Sequence, residues 1–299
     1  MPEETNGERV SRGVHSLNPF SKRDEFSRNN VLGLQIATLI TYIIFLVNTI
    51  YYDANSPSEG HYHKHSIWGQ NSHHGHSPFA QSSIITSIYW LILLLLQIVY
   101  IYFLASNNTT YVTAAANVGA HFIASNLLLF GFVHLWTRSH FVLAELLIII
   151  NFFNLSFAYF RHSTTPRLIH IGVVSGPLAW NFVALYWVGA VMVHAHGLAA
   201  RIVANIFIWG ILAYGLFFLA AYKDYTIGFA LSVLAFSTGL GNFRSGVVQL
   251  QWIFAFTIGG LLFILSLAVG IPGLLGRDPF PRGQIVSEDR ERAPLLADE

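Results

Sequence analysis

Residues 84–105 read IITSIYWLILLLLQIVYIYFLA, twenty-two residues without one charge. At 1.5 Å per helical residue such a run covers about 33 Å, enough to cross a hydrocarbon core of roughly 30 Å. Seven further runs share its character: 31–52, 112–136, 139–160, 170–193, 199–222, 225–243 and 249–271. The weakest, 225–243, is diluted by Gly228, Ser232, Gly239 and Gly241, small residues that let helix backbones approach closely inside a bundle. The sequence therefore predicts an all-α polytopic transmembrane bundle of about eight spans.

Composition agrees with this. Of 299 residues 54% are apolar and only 10% charged, against about 25% charged in an average soluble domain. Mean hydropathy is +0.51, and the net charge of +1 comes from dispersed residues, which leaves no basic patch for nucleic acid. There is no cysteine, so disulfides, thiolate metal sites and Cys nucleophiles are excluded together.

Lys and Arg set the expected orientation. With a cytosolic N-terminus, twelve of the sixteen fall on the cytosolic side, and only Lys64, Arg138, Arg201 and Arg244 lie outside. Both termini are then cytosolic, with disordered tails over 1–30 and 272–299 flanking a membrane domain over 31–271. No cleaved leader is expected, and the sequons at Asn107 and Asn108 face the cytosol, where they stay unmodified.

Charge inside a span costs about 2.5–3.5 kcal/mol at the helix centre, so ionisable residues there are the first candidates for function. Glu145 is the one acid placed well inside a span, and His121 reads as the one deep histidine. The short turn TRSH (137–140) joins the third and fourth spans, so depths can be matched by counting down from it. His121 lies fifteen residues below Trp136, and Asn154 fifteen below Ser139, which puts them at one level. Asn117, His121 and Ser125 form one stripe, and Asn151 and Asn154 are placed to face it. This cluster reads either as a polar path or as interhelical packing worth about 0.6 kcal/mol per contact. Pro177 predicts a kink in the fifth span.

The loop over 53–83 contains HYHKHSIWGQNSHHGH (61–76), with six histidines: His61, His63, His65, His73, His74 and His76. Imidazole suits zinc or copper, so a metal site is one reading. A surface that gains charge in an acidic lumen is another, and a plain linker a third. Trp68 is expected to rest near the headgroups. Phosphate loops, nucleophile elbows and zinc-protease helices are missing, and a membrane di-iron site does not suit histidines in a Gly/Ser-rich loop. No enzyme is expected and no cofactor is required.

Short sorting signals complete the picture. Asn18-Pro19-Phe20 and Asp278-Pro279-Phe280 resemble endocytic tripeptides, and Glu291 with Leu295 and Leu296 has acidic-dileucine spacing. Both imply clathrin-adaptor partners besides the lipid bilayer, and a place in the endomembrane system: vacuole, endosome or plasma membrane.

Several strings, LNPFSKRDEFSRNNVLGLQIAT (17–38), IWGQN (67–71), SIYW (87–90), NFFNLSFAYFRH (151–162), LAARIVANIFIWGILAYGLFFL (198–219) and QWIFAFTI (251–258), resemble a family of uncharacterised fungal multi-pass membrane proteins. The resemblance implies a helical membrane protein and brings no reaction or catalytic residue. The expected role is transport or binding of a small solute or ion. The alternative is a non-catalytic membrane organiser or a pH- or metal-responsive sensor acting through its outer histidines.

Overall fold

In the computed structural model the described residues are 19–58, 64–75, 77–162, 165–195, 197–246 and 250–274. Asn18, His61, His63, His76, Glu291, Leu295 and Leu296, with the motif at 278–280, lie outside them. The described residues form helices and no strand.

Among the described residues nine helices follow in order: α1 (Arg28–Ala54), α2 (Ile67–His73), α3 (Ser83–Leu104), α4 (Thr109–Thr137), α5 (Phe141–Arg161), α6 (Arg167–Met192), α7 (Leu198–Tyr222), α8 (Tyr225–Ser245) and α9 (Gln251–Leu274). All except α2 are long and apolar enough to cross a membrane, so the protein is a multi-pass membrane protein with eight candidate spans. Their starts follow local chemistry. Ser27 Oγ accepts from Asn30 N–H at 3.3 Å to cap α1, and Asn108 Oδ1 accepts from Thr110 N–H at 3.0 Å to cap α4.

Burial sorts the spans into layers. α6 is central, with 78% of its apolar window buried, whereas α1 is peripheral at 22% and exposes Leu32, Ile36, Ile43, Val47 and Ile50. Such exposed leucine and isoleucine suits contact with lipid tails. The main packings join α8 to α9, α4 to α5, α1 to α4, and α5 to α6.

At Pro177 the expected kink takes the form of a π turn over His170–Ser175 immediately upstream. A widened turn accommodates a ring that lacks its N–H and would crowd the preceding carbonyls. A second π turn, Phe218–Tyr222, ends α7. In α8 the small residues allow close contact. A Cβ on Gly228 would collide with Ser266 Oγ of α9, and one on Gly241 with the backbone carbonyl of Ala80.

The long loop is not a simple linker. α2 is capped by Ser66 Oγ and fastened to the bundle: Trp136 Nε1 donates to Ile67 O at 3.1 Å, and Gln70 Nε2 to Ser139 Oγ at 2.6 Å. Asn71 brackets Gln81, its amide donating to Gln81 O at 2.9 Å while its Oδ1 accepts from Gln81 N–H at 3.3 Å. Trp68 packs against the bundle, donating to Ser87 Oγ at 2.9 Å and stacking on Trp187. Below, this side is the loop face. The opposite side, where α1 begins and α9 ends, is the terminal face.

Candidate functional site

Polar groups line α5 from end to end because its buried residues, Glu145, Ile148, Asn151, Leu155 and Tyr159 among them, recur at three or four. The middle of this column is a ladder of amides. Asn181 of α6 donates to Ile148 O at 2.7 Å, Asn151 donates to Asn181 Oδ1 at 2.8 Å, and Asn154 donates to His121 O at 3.0 Å. Asn154 Oδ1 lies 2.8 Å from His121 Nδ1. An amide oxygen only accepts, so Nδ1 carries the proton and Nε2 is the acceptor nitrogen. The depth match read from the sequence is thus a direct hydrogen bond between α4 and α5. Asn151, placed by sequence toward α4, instead turns to α6.

His121 Nε2 is buried without a partner among the described residues. Its ring centre is 5.7 Å from that of His162, whose two ring nitrogens are also buried and unpartnered. Burial pushes His162 down to about 4, with the neighbouring His121, Lys22 and Arg161 adding to the effect, so the ring is neutral near pH 7. His162 also lines a recess of about 640 Å³ on the terminal face with Lys22, Asp24, Thr113, Asn117 and Thr165.

Asn117 does not join the His121 cluster. Its amide clamps the incoming chain, accepting from Arg23 N–H at 2.8 Å and donating to Arg23 O at 2.9 Å. Phe20 rests against His121 with ring centres 4.8 Å apart, and Arg161 donates to Phe20 O at 3.2 Å. Residues 20–23 therefore form a floor under the ladder, although the sequence reads them as disordered tail, and an adaptor reading Pro19-Phe20 would have to lift that ring away.

Glu145 stands nearer the loop face. It is only 8% exposed, its Oε2 has no partner among the described residues, and a Cβ on Gly189 of α6 would sit 3.5 Å from its Oε1. An unpaired buried polar atom costs about 1–3 kcal/mol, so the bundle carries this carboxyl at a loss.

A second acid escaped the sequence reading. Asp224 lies in the Lys223–Asp224 turn between α7 and α8, yet it is 6% exposed. His170 Nε2 and Tyr159 Oη each lie 2.9 Å from its Oδ2, and Thr226 N–H (2.9 Å) and Ile227 N–H (3.3 Å) donate to Oδ1. Burial pushes this carboxyl up, but the charge of His170 and the hydrogen bonds from His170, Thr226 and Tyr159 outweigh it and hold Asp224 at about 2. His121 is accordingly not the single buried histidine: His162 and His170 are 3% and 2% exposed. Both sit at span ends, where counting from hydropathy places residues in water. The available signal was the turn itself, too short to carry its acid clear of α6.

Of the six loop histidines, three are described. His65 and His73 stack with ring centres 4.7 Å apart, and His73 meets His74 at 4.9 Å. Among the described residues no three His, Asp or Glu side chains are grouped to hold a metal ion.

A family model described as a fungal protein of unknown function (DUF1774) matches residues 201–296. The chain resembles an uncharacterised fungal family. Over 126 residues it is 29% identical to uncharacterized protein C637.03 of Schizosaccharomyces pombe, a match covering 42% of this chain and 43% of that protein. No solved structure matches. The family match takes in Asp224 and does not reach Glu145, Asn151, Asn154 or His121.

Proposed function

We propose that the protein binds and moves a small solute or ion across its membrane along α5, with Glu145 as the group whose occupancy changes and the Asn181–Asn151–Asn154–His121 ladder as the polar route to the recess at His162. One observation carries this reading: Glu145 is a carboxyl buried within a span, with an oxygen that has no partner among the described residues. An intramembrane carboxyl without a partner calls for a proton or a cation. Support comes from the nitrogens of His121 and His162 that have no partner among the described residues, and from His162 lining the recess at the terminal face.

Reading the loop face as external, as the Lys and Arg distribution indicates, makes the recess cytosolic. In a deletion strain, cellular ion and small-solute content should shift. Wild-type protein should restore it, and Glu145→Gln, present in the membrane at equal amount, should not. Unchanged content on deletion, or full restoration by Glu145→Gln, sinks the transport reading.

A second reading is favoured by the row His65–His73–His74 on a fastened loop: a sensor of lumenal pH, or of zinc or copper, with no internal path. Replacing those three with Gln should then change behaviour at acidic pH or under metal limitation while leaving solute content alone. Clathrin-adaptor recognition of Glu291, Leu295 and Leu296, and residence in vacuole, endosome or plasma membrane, belong to both readings.

A further inference from the structure

The chain approaches α1 through a short segment whose charged side chains face water while one ring turns inward. Lys22, Asp24 and Glu25 are exposed, whereas Phe20 is half-buried with its ring against His121. The segment is fastened by its backbone. Asn117 of α4 holds Arg23 through both N–H and C=O, at 2.8 and 2.9 Å, and Arg161 of α5 donates to Phe20 O at 3.2 Å. These bonds are partly buried or exposed, so water competes for them, which places the segment toward the low-stability end of the fold.

Beneath the ring the balance runs the other way. His121 Nε2 and both ring nitrogens of His162 are buried with no partner among the described residues, and the two rings lie 5.7 Å apart, centre to centre. A dry polar nitrogen without a partner is less favourable than a wet one. Lifting Phe20 off His121 admits water there and relieves that cost, in exchange for one aromatic contact and bonds that water can replace. Opposed terms of this kind keep two states within reach of each other. Phe20 also belongs to the tripeptide at 18–20, and a partner that grips its ring must take it from this seat.

We propose that residues 20–23 form a gate over the terminal end of the amide ladder, with Phe20 as its latch: seated, it shuts His121 from water, and lifted, it opens the ladder to the terminal face. As a gate it rests on the transport reading, whereas the closure itself is measured with no solute present.

The natural chain has no cysteine, so a single introduced one reports its own exposure. Full-length His121→Cys in a maltoside detergent is treated with 2-(trimethylammonium)ethyl methanethiosulfonate, and its rate is set against two controls: Asn107→Cys, an exposed position, and Ser232→Cys, buried in α8. His121→Cys should react at least about a hundredfold more slowly than Asn107→Cys. Adding Phe20→Ala, or Asn117→Ala to free Arg23, should speed it at least about tenfold, while Phe20→Leu, which refills the seat, should change it about twofold at most. Ser232→Cys should stay slow throughout. Should His121→Cys fail to fold, Ser125→Cys takes its place, one turn deeper on the same stripe, buried, and nearly unchanged in size. A reaction as fast as that of Asn107→Cys in the otherwise unaltered chain, a rate unmoved by Phe20→Ala and Asn117→Ala, or an equal rise at Ser232→Cys overturns the proposal. Closure observed in a protein whose deletion leaves solute content unchanged sustains the cover and sinks only the transport reading.

Discussion

Glu145 and Asp224 are two carboxyls buried against the same pair of helices, α5 and α6, and they are treated in opposite ways. Asp224 gathers donors from a histidine, a tyrosine, a threonine and two backbone amides. Glu145 has an oxygen with no partner among the described residues. A satisfied buried charge fixes the geometry around it, here the join between two π turns and a left-handed Lys223. An unsatisfied one stabilises nothing, so its presence points to a role outside folding.

The sharpest way to break this contrast is to remove each acid in turn. Asp224→Ala leaves His170 and Tyr159 buried without their acceptor and should cost about 3–5 kcal/mol, seen as a collapse of folded yield and of the melting temperature in detergent. A melting point within a degree or two of wild type would show the two acids to be alike. Asn151→Ala, in the ladder between them, should cost about 1 kcal/mol, because it breaks a packing contact without stranding a charge. Glu145→Gln keeps the shape, forms no worse contact and should leave stability within about 0.5 kcal/mol of wild type; a loss as large as that of Asp224→Ala would make Glu145 structural. His162 sharpens the comparison through pH. Its folded value is depressed from about 6.5 to about 4, so the unfolded chain binds the extra proton between them and stability should fall as pH drops through that window. His162→Gln should flatten the slope between about pH 6.5 and 4, whereas the contribution of Asp224, whose folded value lies below its unfolded one, should persist until pH falls below about 4. An identical slope in wild type and mutant would remove His162 from the account.

The same contrast shows what the sequence could reveal. Glu145 was legible because it interrupts an apolar run, and the His121–Asn154 bond because a tight turn lets depth be counted. All eight spans follow from length and hydropathy alone. Asp224 was not legible, since two residues between helices read as water-exposed, and its burial depends on the π turn of α6 bringing His170 across to it. The fastening of the loop was equally hidden. Gly, Ser and Asn signal a flexible connection until their side chains find backbone partners on other elements, and those partners are distant in sequence.

That distance matters while the chain is being made. Ser82 N–H bonds to both Ser237 O (3.0 Å) and Ser237 Oγ (3.1 Å), 155 residues later, and Phe79 N–H bonds to Gln251 Oε1, 172 residues later. At about 5–20 residues per second, Ser82 waits roughly 8–30 s after its own synthesis before its seat on α8 exists. Until α8 arrives, the segment 77–82 is held open to whatever quality-control proteins share its compartment. Nascent chains halted before Ser237 should be cut by protease within 77–82, and completed chains should be protected there.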